Sequence, residues 1–272
     1  MGKYGTAAAA WLLASALAAN AAEAAPCRTS GSYDAWLAAF EREAMAQGIS
    51  QAAIAAARPN LTYDQHIVNI DRGQRVFTQT FLEFSSRMAA AYRIQRGAAL
   101  IKANAATFAR IEQRFGVPAP VIVSFWALES DFGANMGNYH SLSAIASLAY
   151  DCRRSDKFRA QLLDALRLIE RGDLTPEEMI GSWAGELGQT QMMPSEYYQY
   201  AVDYDGDGRR NLIRSVPDVL ASTANYLKGY GWQRGQPWGE GTPNFQVLLQ
   251  WNASQVYTKT VAYFAQRLAS GS

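Results

Sequence analysis

"VIVSFWALESDFG", from Val121 to Gly133, sets an acidic side chain within a strongly apolar run. Two prolines precede the run, and proline suits the first turn of a helix. In such a helix Glu129 lies one turn after Phe125, on the same face. Removal from water favours the protonated form of a carboxyl group, and a carboxylic acid that stays protonated near neutral pH can act as a general acid. The stretch by itself also fits a helix glutamate that reaches solvent or a salt bridge.

The composition and the apolar spacing of the whole chain indicate a globular, mainly α protein. Its 272 residues can bury one substantial core, or form one domain with a smaller lobe. The net charge is +1 and 18% of the residues are charged, so the composition does not indicate a nucleic-acid partner. Alternating β-type runs are scarce, whereas apolar residues recur at helical spacing. We predict helices over residues 36–45, 77–88, 100–115, 158–169, 217–227 and 256–268.

The first 24 residues have the features of a secretory signal peptide. Lys3 gives a small positive region, an apolar stretch follows over residues 7–19, and small residues close the segment. The stretch is too short to span a bilayer. Ala-Pro precedes Cys27 where a lipid-anchored protein would carry a lipobox, so we expect no membrane anchor. We therefore predict an exported, periplasmic protein in which residues 25–272 form a single domain with an N-terminal helical lobe.

The chain contains two cysteines, Cys27 and Cys152. We predict that they pair in an oxidising compartment and tie the mature N-terminus to the middle of the chain, and two free thiols are the alternative. Together with two isolated histidines, His66 and His140, they do not give the tight ligand spacing of an ordinary zinc site.

The segment "DYDGDGRRN" has the pattern of a calcium loop. Carboxylates fill its first, third and fifth positions, a glycine its sixth and a backbone carbonyl its seventh: Asp203, Asp205, Asp207, Gly208 and Arg209. The twelfth position, normally a bidentate glutamate, is Arg214, and the nearest later acid is Asp218. Asp218 could instead cap the following helix. A structural Ca²⁺ site and a solvated Asp-Gly turn both fit this pattern.

Five motifs occur in an order that resembles the lytic murein transglycosylase B family: "GVPAPVIVSFWALESDFG", "SLSAIASLAYDCRRSDKF", "GSWAGELGQTQMMPSEY", "AVDYDGDGRRNL" and "ASTANYLKGYGW". The resemblance runs from about Tyr33 to the C-terminus. It implies a goose-lysozyme-like fold and cleavage of the β-1,4 bond between N-acetylmuramic acid (MurNAc) and N-acetylglucosamine (GlcNAc) in peptidoglycan, with a 1,6-anhydro product. It implies no cofactor for the chemistry. We expect a monomer that acts on glycan strands, with other cell-wall enzymes as candidate partners.

The same resemblance assigns the site residues. Glu129 is implied as the single catalytic acid and base. Four residues are implied to line the cleft and contact sugar: Ser182, Gln191, Tyr226 and Asn252. Arg153 and Arg154 match an arginine pair expected near the acidic stem peptide, where a guanidinium group suits carboxylates. The family's calcium loop matches Asp203, Asp205, Asp207, Arg209 and Asp218.

Three positions depart from the family pattern. Glu186 stands where a small residue is common, Met192 where phenylalanine is frequent, and Trp251 where tyrosine is expected. Because hydrolytic glycosidases use two carboxylates, Glu186 keeps a water-using muramidase as an alternative, with Asp131 as a weaker second acid. A non-catalytic cell-wall-binding module, in which Glu129 only contacts sugar, is the third interpretation.

Overall fold

The computed structural model describes residues 27–28, 31–74 and 79–271. The predicted signal peptide and Phe77, the first residue of the second predicted helix, lie outside the described residues. None of the described helices combines the length and the apolar character that a bilayer-spanning segment requires.

The described chain consists of helices and one short two-stranded sheet, which confirms the mainly α prediction. The first six helices are α1 (Tyr33–Ala46), α2 (Gln51–Ala57), α3 (Gln65–Gly73), α4 (Phe81–Met88), α5 (Ala91–Ala103) and α6 (Ala105–Phe115). They are followed by α7 (Ala119–Ser130), α8 (Ser141–Tyr150), α9 (Ser155–Glu170), α10 (Pro194–Tyr200), α11 (Val216–Gly229), α12 (Pro243–Trp251) and α13 (Gln255–Ser270). Short 3₁₀ turns occupy Arg58–Asn60 and Pro176–Glu178.

The quoted stretch forms α7, which lies in the middle of the core. Its first turn contains a proline, and it ends at Ser130, where the next residue, Asp131, adopts the left-handed conformation. Its side chains are buried around nearly the whole circumference, as expected of a helix that is apolar on all sides. Helices α5, α6, α11 and α13 pack around it. Glu129 is thus fixed on a helix that its neighbours enclose.

The N-terminal helices pack onto the same core as the rest of the chain. The continuous set of buried apolar side chains extends from Trp36 in α1 to Leu268 in α13. Cys27 and Cys152 form a disulfide with a Cα–Cα distance of 5.1 Å, so the predicted pairing is confirmed. The bond attaches the N-terminal end of the described chain to the turn between α8 and α9, and the Tyr150 hydroxyl donates to the Gly31 carbonyl 2.7 Å away.

Two short strands, β1 (Tyr139–His140) and β2 (Ile180–Gly181), pair antiparallel and were not predicted, because two residues are too short to show an alternating pattern. Residues 182–192 follow β2, and we call them the cleft loop. Bridges from Leu187 to Gly181 and to Met192 fold this loop back on itself. The backbones approach closely here: a Cβ on Gly137 would lie 2.1 Å from the Gly181 carbonyl oxygen.

Candidate active site

Glu129 accepts two hydrogen bonds on one carboxyl oxygen. The indole Nε1 of Trp251, at the end of α12, donates to Oε1 at 2.9 Å, and the Tyr257 hydroxyl, in the first turn of α13, donates to the same atom. Both donors come from the C-terminal part of the chain, more than 120 residues from the acid. Within the described residues no hydrogen bond reaches Oε2. One carboxyl oxygen is therefore held in place and the other stays available.

The surroundings of Glu129 favour its protonated form. Burial raises the pKa of Glu129 to about 7, and the negative charge of Glu186 adds to the rise. The hydrogen bonds from Tyr257 and Trp251 act in the opposite direction and offset only part of it. Both protonation states are accessible near neutral pH, which suits a group that first gives and then takes a proton.

A cleft of about 100 Å³ is lined in part by Trp251, the residue that donates its indole N–H to Glu129. Its lining contains Glu186, Gln191, Met192, Met193, Glu196, Tyr226, Gln250 and Trp251. The Trp251 ring contacts the rings of Phe125 and Tyr226, with centroids 4.4 and 4.6 Å away. The Tyr226 hydroxyl donates to the Gln250 carbonyl at 2.9 Å, and burial raises the pKa of this phenol above its usual range. Tyr226 and Trp251 form an aromatic wall of the cleft, and the Tyr226 hydroxyl is already engaged by Gln250.

Gln191, one of the predicted sugar contacts, lines the cleft, and Asn252, another of them, directly follows the lining residue Trp251. Gln191 has a positive φ of 50° and donates through Nε2 to the carbonyls of Met136 and Gly188. Asn252 directly follows Trp251 and is exposed, and its Oδ1 accepts the backbone N–H of Ser254 at 2.9 Å. The structure brings Gln191 and Tyr226 together in the cleft lining. Asn252 is not part of that lining but is the chain neighbour of Trp251, which is.

The predicted contact Ser182 is engaged inside the cleft loop. Its hydroxyl donates to the Glu186 carboxylate, and its oxygen accepts the backbone N–H groups of Ala184 and Glu186 at 3.1 and 3.3 Å. The sequence predicts both residues near the cleft, but it does not predict that they bind each other.

The predicted arginine pair holds a buried acid. Arg153 donates to the backbone oxygen and to Oδ2 of Asp71, both at 2.6 Å, and Arg154 donates to Oδ1 of the same residue. Asp71 is 1% exposed, while the two arginine side chains remain 44% and 34% exposed. Burial lowers the pKa of Arg154 and the charge of Glu186 opposes this, so a cation lies near Glu186. Contact with a stem peptide stays a prediction.

Asp131 points to another part of the molecule. It lies 3.3 Å from the Arg93 guanidinium and 3.9 Å from that of Arg96, both on α5. The role of Asp131 as a second acid has no support in these contacts.

The acidic loop brings three of its predicted ligands together. Carboxylate oxygens of Asp203, Asp205 and Asp218 lie within 4.8 Å of one another. Asp218 is buried and accepts the backbone N–H groups of Tyr204 and Asn211 at 2.7 and 2.8 Å, so it reaches back into the loop. Converging carboxylates of this kind fit a hard cation such as Ca²⁺.

The other two predicted ligands have different side-chain contacts. Asp207 accepts the backbone N–H of Arg209 at 2.8 Å and is not part of the cluster of three carboxylates found among the described residues. The Arg209 side chain turns away to Glu178 and to the carbonyl of Asp173. The predicted ligand of Arg209 is its backbone carbonyl, and these side-chain contacts leave that carbonyl free to bind a cation.

The comparisons with known proteins decide the family. The family model described as "Transglycosylase SLT domain" matches residues 32–243, most of the chain. The protein belongs to the SLT-domain transglycosylase family. Membrane-bound lytic murein transglycosylase B of Escherichia coli (strain K12) is 40% identical over 127 residues, which cover 46% of this chain and 35% of that protein. The match thus spans about a third of that relative's length, and the resemblance seen in the sequence is confirmed.

Solved structures share the fold of this SLT-domain protein. SltB3 from Pseudomonas aeruginosa in complex with NAG-NAM-pentapeptide has a TM-score of 0.83 and 32% identity, covering 88% of this chain and 80% of that chain. Escherichia coli Slt35 in complex with calcium has a TM-score of 0.77 and 23% identity, covering 89% and 94%, and shows the fold alone. The predicted lysozyme-like fold class is confirmed.

Two residues of the candidate site in this SLT-domain protein are not predicted from the sequence. Tyr257, which binds Glu129, appeared only as part of a predicted helix, and its one signal was its position five residues after Asn252. Glu196 lines the cleft, and burial raises its pKa. Nothing in its local sequence distinguishes Glu196 from an ordinary first-turn acid of α10.

Proposed function

We propose that the protein is a peptidoglycan lytic transglycosylase that cleaves the β-1,4 bond between MurNAc and GlcNAc and forms 1,6-anhydroMurNAc. The observation that carries this proposal is the Glu129 carboxyl group, with a pKa of about 7, held through Oε1 by Trp251 and Tyr257 beside an aromatic cleft. Family membership supports it, as does the NAG-NAM-pentapeptide ligand of the related SltB3.

The chemistry needs one carboxyl group that acts twice. Protonated Glu129 gives its proton to the glycosidic oxygen as the bond from that oxygen to C1 of MurNAc breaks. The C6 hydroxyl oxygen of the same sugar then bonds to C1, and its proton passes to the Glu129 carboxylate, which restores the acid. No water is consumed. A pKa near neutrality balances the two transfers, because a stronger acid would be a poorer base in the second one.

We infer that the acidic loop binds a structural Ca²⁺ through Asp203, Asp205 and Asp218, with Asp207 and the Arg209 carbonyl as further ligands. Convergence of the first three carboxylates supports this inference. Ser215, which caps the N-terminus of α11, lies between the loop and Asp218, so a cation would brace the start of that helix. It would take no part in the proton transfers.

The proposed location and organisation follow from the same function. We place the protein in the periplasm as a monomer of one domain over residues 25–272, acting on glycan strands with other cell-wall enzymes as candidate partners. The Cys27–Cys152 disulfide supports an oxidising compartment.

Mass spectrometry of the muropeptides released from purified sacculi in ¹⁸O-labelled water tests the activity. The proposal requires anhydro ends without label. Labelled reducing ends would instead show a hydrolytic muramidase, with Glu186 as the second carboxylate. No release at all would show a binding module.

A further inference from the structure

The Ser182 hydroxyl has no hydrogen-bonding capacity left for a ligand. A serine hydroxyl offers one donor and two acceptor positions. The donor goes to Oε2 of Glu186, and both acceptor positions take backbone N–H groups of the same turn, those of Ala184 and Glu186. Ser182 therefore shapes the cleft loop and holds Glu186, instead of reaching into the cleft.

The Glu186 carboxylate, in contrast, keeps one oxygen free. Among the described residues only Ser182 donates to this group, and it does so on Oε2. Glu186 is partly buried and lines the cleft together with Gln191, Tyr226 and Trp251. Trp251, which lines the same cleft, donates to Glu129, and the charge of Glu186 acts on Glu129, so the two carboxyl groups lie near each other.

The backbone fixes the place of Glu186. A Cβ on Gly181 would lie 1.9 Å from the Glu186 carbonyl oxygen, and one on Gly185 would lie 2.2 Å from Ile145. The turn therefore requires glycine at both positions, Gly181 and Gly185. The Ser182 N–H closes the turn by donating to the Glu186 carbonyl at 3.1 Å. An acceptor held in this way is oriented before a ligand arrives, which lowers the entropic cost of binding.

We propose that Glu186, and not Ser182, is the group through which the cleft loop holds the substrate: its carboxylate accepts a hydrogen bond from a donor on the sugar bound beside Glu129. The inference rests on the proposed function, since it takes a glycan as the ligand. An ionised carboxylate accepts only. The matching groups of a glycan are a hydroxyl or an acetamide N–H, whereas a carbonyl or carboxylate at this place is rejected.

Equilibrium binding of tri-N-acetylchitotriose, followed through tryptophan fluorescence, tests this inference without any turnover. Glu186→Gln keeps the shape of the side chain. The Ser182 hydroxyl then donates to the one amide oxygen of the glutamine, and the amide NH₂ group faces the sugar donor. We expect the Kd to rise about tenfold or more in Glu186→Gln and in Glu186→Ala, as for a lost hydrogen bond to a charged group. The exposed Glu177→Gln is the matched control and should keep the wild-type Kd.

Cellotriose, which lacks acetamide groups, separates the two donors: its Kd rises in Glu186→Gln only if the donor is a hydroxyl. A Kd for chitotriose within twofold of wild type in a Glu186→Gln protein that melts normally would overturn the inference, as would absence of binding to the wild type. Because the assay needs no cleavage, its failure is distinguishable from that of the proposed activity, which the released products report.

Discussion

Trp251 donates its indole N–H to Oε1 of Glu129 across 122 residues of chain, at 2.9 Å. The bond joins the end of α12 to the last turn of α7, where Glu129 lies. Tyr257 donates to the same oxygen, so Oε2 is left to carry the proton that is transferred. Replacement of each neighbour should therefore shift the pKa of Glu129 in its own direction.

The wild type should lose activity as the pH rises through about 7, because deprotonated Glu129 has no proton to donate. Trp251→Phe removes a hydrogen bond that favours the carboxylate, so the pKa of Glu129 should rise further. The alkaline limb of the kcat/KM profile on soluble glycan strands should then move to higher pH. A limb that stays in place, or moves to lower pH, would contradict this role of Trp251.

Glu186→Gln should shift the pKa of Glu129 in the direction opposite to Trp251→Phe. It removes a negative charge that raises the pKa of Glu129, so the same limb should move to lower pH. Glu177→Gln, an exposed acid outside the cleft lining, should leave the limb unchanged.

Glu129→Gln should stabilise the protein at alkaline pH. The folded-state pKa of about 7 lies above the ordinary 4.5, so the stability linked to the bound proton is complete below pH 4.5 and is lost as the pH rises through 7. Glutamine resembles the protonated group and does not ionise. The variant should melt at a higher temperature than wild type at pH 8.5, with the gap closing toward pH 4. Equal melting temperatures across that range would show that Glu129 is not destabilised by ionisation.

Ca²⁺ should raise the melting temperature of protein first treated with a chelator, since a ligand of the native state stabilises it. The cation relieves the repulsion among the carboxylates of Asp203, Asp205 and Asp218. Asp205→Ala should remove the response, while Asp156→Ala, whose side chain is 96% exposed on α9, should keep it. If saturating Ca²⁺ leaves the wild-type melting curve unmoved, the loop is only a turn.

The double variant Cys27→Ser, Cys152→Ser should lose about 2–5 kcal/mol of unfolding free energy in urea, because the disulfide closes a long loop in the unfolded chain. The described bond joins residues 125 positions apart. Quantitative alkylation of both thiols in non-reduced protein from its native source would contradict the pairing.

The local part of the site could be predicted from sequence. The apolar run and its prolines predict α7 with Glu129 on it, and the apolar spacing places α9, α11 and α13 to within three residues of their ends. These features depend on neighbours in the chain, which periodicity captures.

The partners of Glu129 and the state of Ser182 could not be predicted in this way. Trp251 and Tyr257 reach the acid because α13 packs against α7 and α12 packs against α13, and no local pattern encodes those contacts. Glu186 stood out as a departure from the family, yet its bond with Ser182 depends on the turn geometry that Gly181 and Gly185 permit.

The initial rate of anhydromuropeptide release by Glu129→Gln, against the wild type on the same sacculi at pH 6, tests the central claim most directly. The variant keeps the shape of the side chain and loses the transferable proton. We predict a fall of about a hundred- to ten-thousand-fold, with sacculus binding retained and a cooperative melting transition. Anhydro products released at a rate near that of the wild type would remove Glu129 from the mechanism and contradict the account.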